Sequence, residues 1–443
     1  MPWHESWPIW RGDRMFWCEW AWLPGGPRQD VLFEVDGGRI TAVRPGEPPG
    51  GARRLPGLVL PGLANAHSHA FHRALRGDTG RGTFWTWREE MYRVAARLDP
   101  DSYYLLARGV YAEMVQAGIT GVGEFHYVHH APGGSRYEDP NAMSHALAQA
   151  ARDAGIRLTM LDTCYLAGGF DRELDDVQRR FSDGDATGWG ERAGGFTSDG
   201  VLVGAAVHSV RAVPAEAIEE VAGWASDRKV PLHVHLSEQR AENEACLAAH
   251  GRTPSQLLAE RGALGEDVTA VHATHLAAGD VALLGGSGTG VCLCPTTEAD
   301  LADGIGPAGA LAVAGSPLSL GSDGHSVIDV LAEGQAVESY QRLATETRGH
   351  HRPQELLAMA TAHASIGHPD AGRLEVGARA DFVAIDLDTP RLAGVDPHAV
   401  PAVARADDVR DVIVDGRSVV VDGTHTAIDT ARELRESITS LRT

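Results

Sequence analysis

The chain has 443 residues and carries 60 acidic against 39 basic side chains, a formal net charge of −21. That balance excludes a sequence-blind nucleic-acid binder and a protein that docks on anionic membranes, because both need basic surface. With 43% hydrophobic and 22% charged residues it reads as a globular chain, long enough for two or three domains or for one α/β barrel with an accessory piece.

The opening stretch MPWHESWPIWRGD has neither the basic start nor the apolar core of a signal peptide, and no apolar run of about 18 residues or more follows it. The five cysteines, Cys18, Cys164, Cys246, Cys292 and Cys294, are scattered, which fits a reducing compartment better than a disulfide framework. The expected location is the cytoplasm. Up to Pro56 the chain is strand-like and rich in Trp, Gly and Pro. VLFEVDGGRITAV reads as a hairpin around an Asp-Gly-Gly turn. Trp3, Trp7, Trp10, Trp17, Trp20 and Trp22 are read as core or interface of this part.

From residue 57 to 369 the pattern becomes apolar strand, polar turn, helix, repeated. The strands are GLVLPGLANAHSH, GITGVGEFHYV, IRLTMLDTCYL, VLVGAAVHSVRAV, VPLHVHLSE, VTAVHATHL, GVCLCPTT and PLSLGSDGH. Helical patterns such as PDSYYLLARGVYAEMVQAG lie between them. Eight strands alternating with helices predict an α/β fold, a (β/α)8 TIM barrel. The glycine-rich stretch from Gly168 to Gly200 reads as an excursion after the third strand. Residues 370–443 return to short strands, GRLEVGARADFVAIDLD and VRDVIVDGRSVVVDG, before a terminal helix. They are expected to pair with residues 1–56 in one small β-sandwich-like domain formed by both termini. The acids of DDVRDVIVDG read as a solvated edge strand.

Barrel chemistry sits at the C-terminal ends of the strands, and the polar residues fall there. His67 and His69 end strand one, Glu124, His126 and Tyr127 strand two, His208 and Arg211 strand four, His235 and Glu238 strand five, His272 and His275 strand six, and Asp323 and His325 strand eight. Residues two apart on a strand share a face, so His67 and His69 can grip one ion. An imidazole from strand five and a carboxylate from strand eight would complete a zinc-type shell with one position left for water. His233 reads as a packed barrel residue, and His126, His129 and His130 read as solvated loop histidines. Arg88 sits in the aromatic segment FWTWREEMYR after strand one, read as a loop. A surface partner of Glu89 or Glu90 is its simpler role.

PGLANAHSHAF, HVHLSE, HATHL and GSDGH, in this order, resemble the metal-dependent amidohydrolase superfamily in its mononuclear deaminase branch. FWTWREEMYR, EFHYVHH, GAAVHSVRAV and CPTTEADLADG are similar to the formimidoylglutamate deiminases, which convert N-formimidoyl-L-glutamate and water to N-formyl-L-glutamate and ammonia in histidine degradation. The resemblance implies that His67, His69, His235 and Asp323 hold one Zn2+ per subunit, or Fe2+ or another divalent ion. It implies that Glu238, His272 and Asp323 are catalytic, that His72, Arg88, Tyr127, His208 and Arg211 bind a small anionic substrate, and that the protein is a homodimer. Two positions depart from the family pattern: His72 stands where Gln is frequent, and Gly324 where Ser is frequent. The alternatives are a deaminase of the same branch acting on a guanine-like or other aromatic base, and a metal-binding barrel without catalysis.

Overall fold

The computed structural model describes residues 14–77 and 81–442. Trp3, Trp7 and Trp10 lie outside them. Four strands open the described chain: β1 (Met15–Leu23), β2 (Gly26–Asp36), β3 (Arg39–Pro45) and β4 (Arg53–Pro61). Eight follow in the middle: β5 (Leu63–Ser68), β6 (Ile119–His126), β7 (Arg157–Cys164), β8 (Leu202–Ser209), β9 (Leu232–Leu236), β10 (Val268–His272), β11 (Gly290–Leu293) and β12 (Leu318–Leu320). Four close the chain: β13 (Phe382–Ile385), β14 (Val409–Val414), β15 (Arg417–Val421) and β16 (Thr424–His425).

The outer strands form one sheet in the order β16-β15-β14-β13-β4-β1-β2-β3. β2 and β3 are the expected hairpin, turning through Gly37 and Gly38 at φ +56° and +77°. The sheet curls over a core of its own. Phe33 on β2 and Phe382 on β13 are three strands apart, yet their rings lie 5.0 Å apart. Both termini therefore build one small sandwich-like unit. Trp17 on β1 is nearly buried and donates Nε1–H to the Glu47 carbonyl, while Trp20 and Trp22 pack toward the barrel side. β14 is an interior strand rather than a solvated edge. Its Asp411 is paired with Arg53 and the Asp415 beyond it with Arg157, and these arginines answer the acids.

β5 to β12 run parallel, in sequence order, with helices between them. The helix Pro100–Gln116 shows why these segments fold locally. Asp99 caps its first turn through the Ser102 amide at 2.8 Å, Pro100 starts it, and Tyr103, Leu106, Ala107, Val110 and Met114 make its buried stripe. Each such Leu or Val contributes about 1.5–3 kcal/mol through burial. No described helix is long and apolar enough to cross a membrane.

The strand read as GLVLPGLANAHSH is two strands. Leu58, Val59 and Leu60 belong to β4 in the terminal sheet, and the barrel begins at Leu63. The break falls at Gly62, where a Cβ would lie 2.2 Å from Thr120 Oγ1, so only glycine lets the chain pass. At the other end of β5 the cylinder closes. The Asp323 amide donates to the His67 carbonyl at 3.0 Å, and the His69 amide to the Asp323 carbonyl at 3.3 Å. A Cβ on Gly321 would meet His67 Cβ at 2.7 Å, so glycine is needed for this approach too.

Candidate active site

The closing seam brings four side chains together. One ligand atom each from His67, His69, His235 and Asp323 lies within 4.8 Å of the others. His235 Nε2 is 3.1 Å from His67 Nε2 and 3.3 Å from His69 Nε2. Asp323 Oδ1 is 3.2 Å from His67 Nε2 and 3.4 Å from His69 Nε2. His69 Nδ1 donates to the Phe125 carbonyl at 2.9 Å and His235 Nδ1 to the His208 carbonyl at 2.8 Å. A carbonyl only accepts, so both Nδ1 atoms carry the proton and both Nε2 atoms present bare lone pairs. Lone pairs 3.3 Å apart with no proton between them repel, and a cation among them removes that repulsion. The donor set of three imidazoles and one carboxylate suits a divalent transition metal. Burial outweighs the Asp323 charge at His67 and lowers its pKa, and burial also drives His69 and His235 far down. Neutral imidazoles are the ligand form.

A cavity opens beside this cluster. Its walls include His72, Arg88, Tyr127, His208, Arg211, Glu238, His272 and Asp323, so the structure brings the sequence-predicted residues into one space. A larger, open groove lies against the helix Thr430–Arg442 and contains none of them. Glu238 is three residues past His235, where β9 has ended. Burial pushes its carboxyl up to about 8, against the pull of His272. Its Oε1 is 3.9 Å from His272 Nε2. Burial opposes charge on His272, but Glu238, Glu298 and Asp323 around it prevail and hold its pKa well above the ordinary value.

The far wall is aromatic and cationic. FWTWREEMYR is the start of the helix Phe84–Arg97, not a loop, and Thr83 begins it. The helix turns Trp87, Arg88, Met91 and Tyr92 to the cavity. Arg88 stacks over Trp85 at 4.7 Å and Tyr92 at 5.4 Å. Glu90 pairs with Arg93 instead. Neither Arg88 nor Arg211 forms a hydrogen bond or ion pair with a described residue. Burial lowers the Arg211 pKa, and Glu242, another wall residue missed in the sequence, more than offsets it. His72 Nε2 is 2.9 Å from the Tyr127 hydroxyl, and its edge packs on Trp87. Burial lowers its pKa to about 3, so it is neutral. The Gly324 amide bonds Thr297 Oγ1 at 3.1 Å, away from these groups.

Three expectations at the strand ends change. Phe125, not Glu124 or His126, faces the ligands, 4.3 Å from the His235 ring centre to centre. Glu124 points behind the cluster, where it accepts from Ser68 Oγ at 2.6 Å and the Ala70 amide at 2.7 Å. His126, His129 and His130 are fully buried rather than solvated, because the excursion after β7 covers them. His233 is a structural residue as read, bonded to the Ser365 carbonyl at 2.8 Å.

Three comparisons bear on these geometries. A model of the amidohydrolase family matches residues 58–419. A formimidoylglutamate deiminase of Pseudomonas aeruginosa is 39% identical over 423 residues, 90% of this chain and 93% of that protein. A 5-methylthioadenosine/S-adenosylhomocysteine deaminase of Halobacterium salinarum is 31% identical over 87% of each chain. The crystal structure of an amidohydrolase from Brucella melitensis superposes with a TM-score of 0.90 at 32% identity, covering 97% of this chain and all of that one.

Proposed function

The chain belongs to the amidohydrolase family and is a hydrolase of C–N bonds, and from that premise we propose that its substrate is N-formimidoyl-L-glutamate, cleaved to N-formyl-L-glutamate and ammonia. The observation that carries this reading is the pair of unpaired guanidinium groups, Arg88 and Arg211, on the wall of the cavity that contains Glu238 and His272. A guanidinium in a lined cavity that makes no hydrogen bond leaves its donors unanswered even where nearby carboxylates offset its charge, and its fork matches a carboxylate with two parallel hydrogen bonds. A substrate with two carboxylates answers both. The deiminase of Pseudomonas aeruginosa supports the same choice.

His67, His69, His235 and Asp323 would hold the metal, with zinc the proposed ion. When bound, a divalent ion supplies Lewis acidity that brings the pKa of a water from ~15.7 toward ~7. Asp323 accepts the proton as the water oxygen bonds to the formimidoyl carbon. Glu238, still protonated near neutral pH because burial pushes it up to about 8, donates to the terminal imino nitrogen. The imidazolium of His272, 3.9 Å from Glu238, steadies the developing negative oxygen. Asp323 passes its proton to the same nitrogen while Glu238 recovers one from the new hydroxyl; the carbonyl forms, the C–N bond breaks, and ammonia leaves. Tyr127 and His72, bonded to each other, shape the wall beside the clamp.

The similarity to the methylthioadenosine deaminase gives the rival, an aromatic base or nucleoside. A neutral ring leaves Arg88 and Arg211 unanswered. Ammonia release measured side by side with formimidoylglutamate, guanine and methylthioadenosine separates the two. The proposal predicts that kcat/KM is highest for formimidoylglutamate, and faster release from either purine overturns it.

A further inference from the structure

The histidines of the site rest on two kinds of support. Behind His69 and His235 stand backbone carbonyls, at 2.9 and 2.8 Å from Nδ1. A carbonyl fixes ring and tautomer and brings no net charge. Behind His272 stands a carboxylate: Glu298 Oε1 lies 3.5 Å from Nδ1. On the opposite edge, Nε2 faces Glu238 at 3.9 Å. Glu238 lines the cavity and Glu298 does not. The imidazole thus stands between the reacting space and a second carboxylate sealed behind it.

Glu298 is held where it is by its own segment. It is 4% exposed and sits in the short helix Pro295–Asp300, directly after β11, the strand beside β10 that carries His272. The same Oε1 accepts the Cys294 amide at 2.9 Å, tying the carboxylate to the start of its helix. Among the described residues, the buried Nδ1 of His272 makes no hydrogen bond within normal geometry, and the acceptor it faces is Glu298 Oε1 at 3.5 Å. The backbone of His272, at φ +67°, fixes where the ring starts but not which edge faces the cavity. An imidazole can turn over about its last torsion, which has two broad wells. A carboxylate on one side breaks that equivalence by holding an N–H edge.

We propose that Glu298 is a positioning residue that acts only through His272: it holds the Nδ1–H edge and so keeps Nε2 turned toward Glu238 and the substrate. The sequence CPTTEADLADG contains this residue, and the ligand set and substrate clamp leave it without a role. The inference rests on the reading of His272 and Glu238 as partners in the hydrolysis.

A double-mutant cycle tests it. Wild type, Glu298→Gln, His272→Ala and the double variant are assayed for ammonia release from formimidoylglutamate, each with its metal content measured. Gln keeps the shape and the oxygen that serves both the Cys294 amide and the His272 edge, and removes only the negative charge behind the ring. The expected single-variant result is a fall in kcat of about 10- to 100-fold, the usual cost of losing a partner behind a site histidine, with KM and metal content unchanged. In the His272→Ala background the same substitution should cost nothing further. Losses that multiply would show that Glu298 works by another route and overturn the proposal. An arm that needs no substrate uses 15N-histidine NMR of the metal-loaded protein, with His272 assigned by its loss in His272→Ala. At a pH high enough to leave His272 one ring proton, that proton is expected on Nδ1 in wild type and shared between tautomers in Glu298→Leu, which removes both the acceptor and the charge. A bare Nδ1 in wild type overturns the proposal. If wild type releases no ammonia from formimidoylglutamate, the substrate reading fails, and the NMR arm still decides the role of Glu298.

Discussion

Two regions of this barrel bury histidines, acids and arginines, and they treat them in opposite ways. At the base of the excursion after β7, Arg192 makes two hydrogen bonds of 2.8 Å to Asp162 and a third, of 2.9 Å, to Asp183. His130 adds a bond of 2.9 Å to Asp183, and His129 bonds the Thr163 carbonyl. The charges there are answered within the protein. At the closing seam the lone pairs of His69 and His235 face each other, and across the cavity Arg88 and Arg211 have no ion-pair partner. Stability alone favours the first arrangement. The second makes sense only with a cation and an anion supplied from outside, which is how a binding site differs from a structural cluster of the same residue types.

The comparison breaks most visibly at the ligands. His235→Ala should abolish both stoichiometric metal, read by elemental analysis, and turnover; a full equivalent of tightly bound metal in that variant would remove His235 from the set. Glu238→Gln should keep the metal and lose roughly 10²–10⁴ in kcat, the usual span for a general acid–base group. Two arginines, Arg192 in the structural cluster and Arg211 on the cavity wall, sharpen the contrast. Arg192→Met leaves two buried carboxylates without their cation and should cost about 3–5 kcal/mol in denaturant unfolding, with KM unaltered in the folded enzyme. Arg211→Met should do the reverse, raising KM for formimidoylglutamate without loss of stability. The smallest effect concerns Glu124. Burial pushes its carboxyl from 4.5 up to about 7, despite the Ser68 and Ala70 hydrogen bonds. The folded state binds that proton more tightly than the unfolded chain does. Its contribution is therefore full below pH 4.5 and is lost as pH rises through about 7, at most about 3 kcal/mol. Glu124→Gln should flatten the fall of Tm across that window, and an unchanged slope would contradict the assignment.

Much of this was legible in the sequence because it depends on period and order. Alternation placed His67 with His69, and apolar strands spaced by helical patterns implied the barrel that carries them. What was hidden depends on phase and on packing across the chain. Gly62 splits one apolar run between two sheets, and no local pattern distinguishes that from one long strand. The turn of β6 that aims Phe125 rather than Glu124 at the ligands follows from its pairing with β5, whose register shifts between Asn65 and Ser68. His126, His129 and His130 looked solvated because the excursion that covers them is distant in sequence. The 84–97 segment opens on the rings Phe84, Trp85 and Trp87, which hid its helical period, so it read as a loop. Nothing in the sequence marks Glu242 or Glu298, and only the folded chain turns one toward Arg211 and the other toward His272.

Metal titration of the stripped protein tests the account most directly. Chelator-treated enzyme should release no ammonia from N-formimidoyl-L-glutamate, and activity should rise in proportion to added zinc and level off at one equivalent per chain. Full activity in protein shown by elemental analysis to be free of metal would contradict the reading of His67, His69, His235 and Asp323.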